Sequence, residues 1–346
     1  MSTRINRRIT LAARPQGDPK PSDFAAVDDP VPAPGDGEML LRTIYLSLDP
    51  YMRGRMNDVR SYVPPVQLGQ TMEGGAVSVV EESRHPEFSA GDIVYGRTGW
   101  QQYSLSNGKG MRTVDTSIAP VSTALGVLGM PGLTGYVGLL DLGQPKEGET
   151  VVVSAATGAV GSLVGQIAKL KGCRVVGVAG AEAKCRYAVD TLGLDACVSH
   201  RDDDLAGALK DACPDGIDVY YENVGGKVFD AVIGLMNVHG RIPVCGTIAH
   251  YNDTGPPTGP DRLAGAMRII LTRRLTVRGF IIFDHHDRIP DFRRDVSGWL
   301  REGRIVYRED IVDGIDNAVG AFRGLLRGEN FGKLVVKVSD DPTGSD

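Results

Sequence analysis

The sequence predicts an α/β protein in which a doubly wound parallel sheet follows a β-rich domain. From residue 151 onwards, short apolar β-branched runs alternate with segments of helical length, as in repeated βαβ units. Before about residue 120, short strand-like runs are separated by glycine turns instead. A chain of 346 residues is long enough for two such domains.

The β-rich part is predicted to contain strands at 39–48, 75–80 and 92–95, and a helix at 132–142 opens the second domain. The predicted order of the parallel sheet is then strand 151–154, helix 159–171, strand 174–179, helix 181–192, strand 196–199, helix 203–212, strand 218–222, helix 226–236 and strand 241–245.

The C-terminal part begins with a passage rich in Pro and Gly, 252–260, which we expect to be a long surface loop that covers a site. Residues 275–283 are predicted to be a further strand. Helices at 289–302 and 316–327 and a last strand at 333–338 follow, and we expect that strand to return to the first domain.

Composition excludes several functional classes. No run of 18 or more apolar residues exists to cross a bilayer, and residues 1–14 lack the apolar core of a signal peptide, so we expect a cytoplasmic protein. A net charge of −5 with scattered basic residues argues against a nucleic-acid partner. Five cysteines without paired short spacings indicate reduced thiols.

The segment 155–161, AATGAVG, lies between a predicted buried strand and a helix, the context in which a glycine-rich turn binds a dinucleotide. Gly158 allows the backbone to approach a pyrophosphate, and Gly161 allows close packing of helix on strand. Ala156 stands where the usual motif has its first glycine. The alternative is a plain strand–helix turn, which the following βαβ units make less attractive.

The next strand indicates which dinucleotide is bound. It ends at Gly180 without the acidic residue that would hold the ribose hydroxyl of NAD, and Lys184 and Arg186 follow. NADP(H) is therefore favoured, although Lys184 could equally lie on a solvated helix face and Glu182 lies nearby.

No metal site is expected. Cysteine does not occur before Cys173, and the six histidines have no ligand spacing. No G-x-S-x-G motif is present either, so the chemistry is expected to come from a bound nicotinamide.

Several blocks of the chain together carry a family resemblance. The blocks are SLDPYMR at 47–53, GMPGLT at 129–134, SAATGAVGSLVGQIAK at 154–169, DVYYENVGG at 218–226, CGTI and YN within 245–252, and GKLVV at 332–336. With them, the chain resembles the zinc-independent medium-chain dehydrogenase/reductase family, in the group of prostaglandin reductases, leukotriene B4 12-hydroxydehydrogenase, alkenal double-bond reductases and curcumin reductase.

The resemblance implies a GroES-like β-barrel catalytic domain at 1–125, completed by 310–346, and a Rossmann NADP-binding domain at 126–309, with NADPH between them. It also implies a homodimer, for which 275–283 is the candidate edge strand. The implied reaction delivers hydride from NADPH to the β-carbon of an α,β-unsaturated ketone or aldehyde. A quinone reductase and a non-catalytic NADPH-binding protein are the alternatives.

The resemblance also implies roles for individual residues. Tyr251 is the catalytic residue, whose hydroxyl donates to the developing enolate oxygen, although it could simply pack under the loop. Tyr51 and Met130 line the substrate pocket, although an aromatic residue at 51 could be barrel core. The implied cofactor contacts are Thr157, Gly158, Ala159, Val160, Gly161, Lys184, His200, Asn223, Cys245, Gly246, Thr247, Ile248, Tyr251, Phe280, Ile281 and Asn330.

Two further positions, His200 and Arg53, need separate expectations. His200, followed by Arg201, stands where relatives often have a tyrosine that touches the 2′-phosphate, so either residue is a candidate for that contact. Arg53, close to Asp49 in sequence, is expected to form a structural ion pair rather than to touch substrate.

Overall fold

A computed structural model describes residues 4–255 and 261–344. The chain divides into two compact units. The first consists of Met1–Gly126 with Glu309–Asp346, and the second of Val127–Arg308. The C-terminal segment of the chain therefore belongs to the first unit.

The elements are numbered in chain order. The strands are β1 Ile5–Leu11, β2 Phe24–Pro30, β3 Met39–Ser47, β4 Ala76–Ser83, β5 Ile93–Gly96, β6 Tyr103–Ser106, β7 Arg112–Thr113, β8 Thr150–Ser154, β9 Arg174–Ala179, β10 Ala196–Ser199, β11 Ile217–Tyr221, β12 Met236–Val244, β13 Thr276–Gly279, β14 Glu309–Asp313 and β15 Lys333–Lys337. The α-helices are α1 Tyr51–Arg55, α2 Met130–Val137, α3 Gly161–Leu170, α4 Glu182–Asp190, α5 Leu205–Ala212, α6 Gly226–Ile233, α7 Leu263–Arg273, α8 Ile289–Arg301 and α9 Ala318–Leu326.

The first unit is built on a mixed sheet with the strand order β14-β15-β3-β4-β5-β7, and β6 also pairs with β3. Strands β1 and β2 form a separate antiparallel pair. The last strand, β15, runs antiparallel to β3, with Val335 opposite Ser47. The last strand of the chain therefore lies in the sheet of the first unit.

The second unit contains the predicted doubly wound sheet. Its strands are all parallel, in the order β10-β9-β8-β11-β12-β13. The central strand β8 is buried at every residue, as its run of valines predicts. The strand order reverses between β8 and β11, and ligands of such sheets bind at the carboxyl ends of the strands around that point.

Some element predictions were wrong in detail. The predicted strand 275–283 is only the four-residue β13, because a 3₁₀ helix occupies Ile282–Arg288. The predicted helix 226–236 ends at Ile233, since Met236 already begins β12. Helix α7 was not predicted at all. Residues 256–260 of the predicted loop lie outside the described residues.

Candidate functional site

The turn between β8 and α3 is held by backbone contacts that only glycine permits. A Cβ on Gly161 would lie 2.3 Å from the carbonyl oxygen of Ala155, so no side chain fits there. Ala155 itself has a φ of 50°, an uncommon conformation for a residue with a side chain. The turn closes with a hydrogen bond of 2.9 Å from the Gly158 N–H to the Ala155 carbonyl.

The rest of the turn shapes the start of α3. Thr157 is buried, and Val160 is the residue before the helix, with no side chain that caps the first turn. The first amide groups of a helix carry partial positive charge and bind anions when no protein side chain occupies them. Ala159 lies in the same turn. The turn therefore has the form of a pyrophosphate-binding turn.

Asn223 connects the ends of β8 and β11. Its side-chain amide donates to the Ser154 carbonyl over 2.8 Å, and its backbone N–H donates to the Ser154 hydroxyl oxygen over 2.8 Å. The buried Glu222 Oε1 accepts backbone N–H groups from Val224 and Gly225. Burial raises the pKa of Glu222, although these N–H groups oppose the shift. Sequence reasoning did not identify Glu222 or Ser154 as residues that order the site.

The segment after β12 continues this arrangement. The backbone N–H groups of Cys245 and Gly246 donate to the Glu222 carbonyl over 2.9 and 3.1 Å. The N–H of Ile248 donates to the Asn223 carbonyl over 3.3 Å. Burial raises the pKa of the Cys245 thiol to about 12, so the thiol is neutral near pH 7. The structure thus brings these predicted residues together at one edge of the sheet.

Tyr251 lies at this same edge. It follows a 3₁₀ turn, Ile248–His250, that starts immediately after Thr247. A Cβ on Gly246 would lie 3.0 Å from the Tyr251 hydroxyl and 3.5 Å from the Asn223 carbonyl oxygen. The absence of a side chain at Gly246 therefore leaves room for the phenol beside the strand ends, and Tyr251 is half-buried there.

The carboxyl end of β9 carries the predicted determinants of cofactor choice. Lys184 is half-buried in the first turn of α4, whereas Arg186 is bonded to Glu182 on the exposed face of that helix. His200 lies over Gly180. Lys227, at the start of α6, is also close enough to His200 to influence its charge, and sequence reasoning missed it because the two residues are far apart in the chain.

Three other predicted residues of the second unit are placed as follows. Met130 is half-buried at the start of α2, where its carbonyl accepts the Thr134 hydroxyl over 2.7 Å. The Phe280 ring packs against Gly138 and makes an edge-on contact with His285, at 6.2 Å between ring centroids. Ile281 precedes the 3₁₀ helix that follows β13.

Tyr51 and Asn330 belong to the first unit. Tyr51 is half-buried against the apolar core of that unit, and the Arg55 guanidinium lies 5.7 Å from its ring centroid. The Asn330 amide donates to the Gly332 carbonyl over 2.8 Å, just before β15. These contacts leave the pocket and cofactor roles of both residues as predictions.

Arg53 has a structural role. Its guanidinium bonds to residues other than the predicted partner, Asp49. The buried guanidinium donates to Asn57 over 2.7 Å and to the Gly17 carbonyl over 2.9 Å. The Asp49 carboxylate instead accepts Lys333 over 2.8 Å. The lysine comes from β15, far away in the chain, so sequence proximity could not identify it as the ion-pair partner of Asp49.

Metal-ligand clusters and membrane-spanning helices are both absent from the part of the chain that the structure describes. Between residues 4 and 255 and between 261 and 344, no cluster of three or more His, Cys, Asp or Glu side chains is arranged to hold a metal ion. Over the same ranges, no helix has the length and apolar character needed to span a membrane. All five cysteines are free thiols.

Comparison with known proteins identifies close relatives. Residues 7–114 match a family described as the N-terminal domain of oxidoreductase, and residues 159–297 match one described as zinc-binding dehydrogenase. The NADPH-dependent curcumin reductase of Escherichia coli is 56% identical over 337 residues, which cover 97% of this chain and 98% of that protein. The NADP(+)-dependent 2-alkenal reductase of Nicotiana tabacum is 40% identical, with coverage of 96% and 98%.

A solved structure is equally similar. The crystal structure of CurA from Vibrio vulnificus in complex with NADPH superposes with a TM-score of 0.94. Its sequence is 54% identical, and the match covers 97% of this chain and all of that one. The predicted fold class is confirmed by this neighbour.

Proposed function

The chain belongs to the medium-chain dehydrogenase/reductase family, in the group of the curcumin, 2-alkenal and prostaglandin reductases, and from that membership we propose that it is an NADPH-dependent double-bond reductase. Its substrates are α,β-unsaturated ketones or aldehydes, which it reduces at the activated C=C bond. The observation that carries the proposal most directly is the Tyr251 hydroxyl, which lies beside Gly246 at the carboxyl edge of the parallel sheet.

The residues at this edge fit a dinucleotide. Gly161 keeps the Ala155 carbonyl and the start of α3 in close contact, which leaves backbone amides for the pyrophosphate. Thr157, Gly158, Ala159 and Val160 complete that turn. The segments that begin at Asn223 and Cys245 supply further backbone and side-chain contacts beside it. Bound NADPH supplies a hydride to the β-carbon of the substrate.

The protein's own contribution to the reaction is a hydrogen bond to the substrate oxygen. When hydride reaches the β-carbon, negative charge develops on the carbonyl oxygen as an enolate, and a proton must then reach the α-carbon. A hydroxyl already directed at that oxygen stabilises the charge without further reorganisation. Tyr251, whose hydroxyl lies beside Gly246, provides such a hydroxyl.

The Tyr251→Phe variant tests this assignment. Loss of the hydroxyl is expected to lower kcat for an aryl enone and a 2-alkenal by about 10²-fold, the usual effect of removing one oxyanion donor. NADPH affinity, measured by fluorescence titration, is expected to change little. Turnover should be followed through NADPH absorbance.

A panel of substrates distinguishes the proposal from its alternatives. The wild-type protein should consume NADPH with an aryl enone or a 2-alkenal. Turnover of a quinone alone would identify a quinone reductase, and no turnover with any of the three would favour an NADPH-binding protein without this activity. A Tyr251→Phe protein with undiminished enone turnover would remove Tyr251 from the mechanism.

We also infer a homodimer, formed through β13. All four residues of this edge strand are exposed, and one side of the strand has no partner among the described strands. Helix α7 adds a stripe of exposed apolar residues at helical spacing, Leu263, Met267 and Leu271, with exposures of 66%, 55% and 76%. Such a surface is unusual for a monomer.

Two further properties belong to the same proposal. We infer that the reaction needs no metal ion, since the described side chains offer no ligand cluster. We infer a cytoplasmic location from the five free thiols, which are typical of a reducing compartment.

A further inference from the structure

The side chain of His200 lies directly over the carboxyl end of β9. Its backbone N–H donates to the Ala179 carbonyl over 2.8 Å, which fixes the residue beside that strand. A Cβ on Gly180 would lie 2.8 Å from the His200 Nε2 atom. The imidazole can occupy this position because residue 180 is glycine.

Three cationic side chains lie close enough to this imidazole to act on its charge. Lys227 comes from the start of α6, Arg201 follows His200 in the chain, and Lys184 comes from the first turn of α4. Partial burial lowers the pKa of His200 below its ordinary value, and the charges of Lys227, Arg201 and Lys184 lower it further. The imidazole is therefore neutral near pH 7, and three positive charges act on it.

Most acidic side chains of the same segments bond to local groups. Asp202 accepts the backbone N–H of Asp204 over 3.0 Å, and Asp204 accepts an N–H in the first turn of α5 over 2.9 Å. Glu182 is bonded to Arg186 on the exposed face of α4. Asp203 is exposed.

We propose that Lys227 and His200 are specificity-determining residues for NADPH, and that His200 takes up a proton when the 2′-phosphate binds between it, Lys227, Arg201 and Lys184. This inference rests on the proposed function, because it assumes that the cofactor lies at this edge of the sheet. It goes beyond that proposal by adding Lys227 and by coupling cofactor choice to pH.

The direction of the coupling follows from the charges. A phosphate dianion beside the imidazole favours the imidazolium, so the pKa of His200 is higher in the NADPH complex than in the free protein. NADPH affinity then rises as pH falls through the pKa of the complex, and it levels off below the pKa of the free protein. The phosphate itself loses charge near pH 6, so the informative range is pH 6.5 to 8. NADH has a hydroxyl at this position and is expected to show no such rise.

The experiment is isothermal titration calorimetry of the wild-type protein with NADPH and with NADH at pH 7. Two buffers of different ionisation enthalpy give the number of protons exchanged. We expect net proton uptake with NADPH and none with NADH. The NADPH dissociation constant should fall about threefold to tenfold from pH 8 to pH 6.5.

Three variants assign the effect. His200→Gln keeps a polar side chain that cannot titrate, so proton uptake should disappear and NADPH affinity should become flat over this range. Lys227→Met should weaken NADPH binding about tenfold and leave NADH unchanged. It should also move the pH profile upward, because one of the cations that suppress protonation is gone. Lys210→Met, on the exposed face of α5, is the matched control and should change neither quantity.

The outcomes separate this inference from the proposed function. Wild-type protein that binds NADPH more tightly than NADH without taking up a proton would overturn the role of His200, as would equal uptake by His200→Gln. An unchanged NADPH to NADH affinity ratio in Lys227→Met would overturn the role of Lys227. Wild-type protein that binds neither nucleotide would instead contradict the proposed function. If His200→Gln fails to fold, the shifted pH profile of Lys227→Met still tests the coupling.

Discussion

Gly161 and the Ala155 carbonyl lie so close that the turn between β8 and α3 depends on one missing Cβ. The Gly161→Ala substitution places a methyl group 2.3 Å from a backbone oxygen, and backbone cannot rotate away as a side chain can. We expect a loss of about 1–3 kcal/mol in the free energy of unfolding and weaker NADPH binding. Urea unfolding and fluorescence titration measure the two effects.

Gly298 supplies the control for that substitution. It lies within α8, and a Cβ there has no neighbour within 4 Å. Gly298→Ala is therefore expected to stabilise the protein by up to about 1 kcal/mol through helix propensity. Equal effects of the two substitutions would show that the turn has no special need for glycine.

Among individual residues, the sequence could identify those of the β8–α3 turn but not those that position the surrounding site. Gly158 and Gly161 follow a predicted strand, so their pattern was interpretable. Ser154 and Lys227 were not, because Ser154 bonds to Asn223 and Lys227 acts on the charge of His200, and both partners are distant in the chain. Such contacts leave no local pattern of hydrophobicity or spacing.

At the scale of elements, β15 is tied into the first unit by a buried ion pair. The Lys333 ammonium donates to the Asp49 carboxylate and to the Leu48 carbonyl, each over 2.8 Å, and the two charged side chains are 4% and 8% exposed. Removing one charge leaves the other buried without its partner. Lys333→Met is expected to cost about 3–5 kcal/mol of unfolding free energy.

A surface pair provides the comparison for Lys333→Met. Arg304 and Glu302 are 49% and 59% exposed, and solvent screens their interaction. Arg304→Ala is expected to change the unfolding free energy by less than about 1 kcal/mol. If Lys333→Met were equally mild in urea unfolding, the buried pair would not be what anchors β15.

The edge strand β13 and helix α7 carry the prediction about assembly. Leu271 lies in the exposed stripe of α7, and a charged side chain at this position should destabilise a dimer interface. We expect wild-type protein to have the mass of a dimer in size-exclusion chromatography with light scattering, and Leu271→Glu to shift it towards the monomer. Leu68→Glu, on the first unit and 56% exposed, should leave the mass unchanged. A monomeric wild type would contradict the proposal.

The elements that sequence predicted well are the ones whose burial creates a pattern. Strands β8, β9 and β11 are apolar runs, and each was predicted to within about a residue. Strands β1 and β2 were missed because their exposed faces are charged, and what holds them is mutual pairing, with Arg7 opposite Asp28. The polar β14 was missed for the same reason: it forms by adding to β15.

At the scale of the whole molecule, the sequence blocks shared with the family predicted more of the architecture than local hydrophobic patterns could. They predicted a chain in which the last strand rejoins the first unit, a long-range connection that periodicity cannot indicate. In the structure, the last strand pairs with β3 of the first unit. The blocks do not encode substrate choice, because the shape of a pocket depends on loops whose conformation has no sequence pattern.

The central claim, that hydride from NADPH reduces an activated C=C bond, is tested most directly by following a label. An aryl enone is incubated with the wild-type protein and with NADPH that carries deuterium on the transferable position, and the product is analysed by NMR. The account predicts a saturated ketone with deuterium on the β-carbon. An allylic alcohol with deuterium on the former carbonyl carbon, or unlabelled starting material, would contradict it.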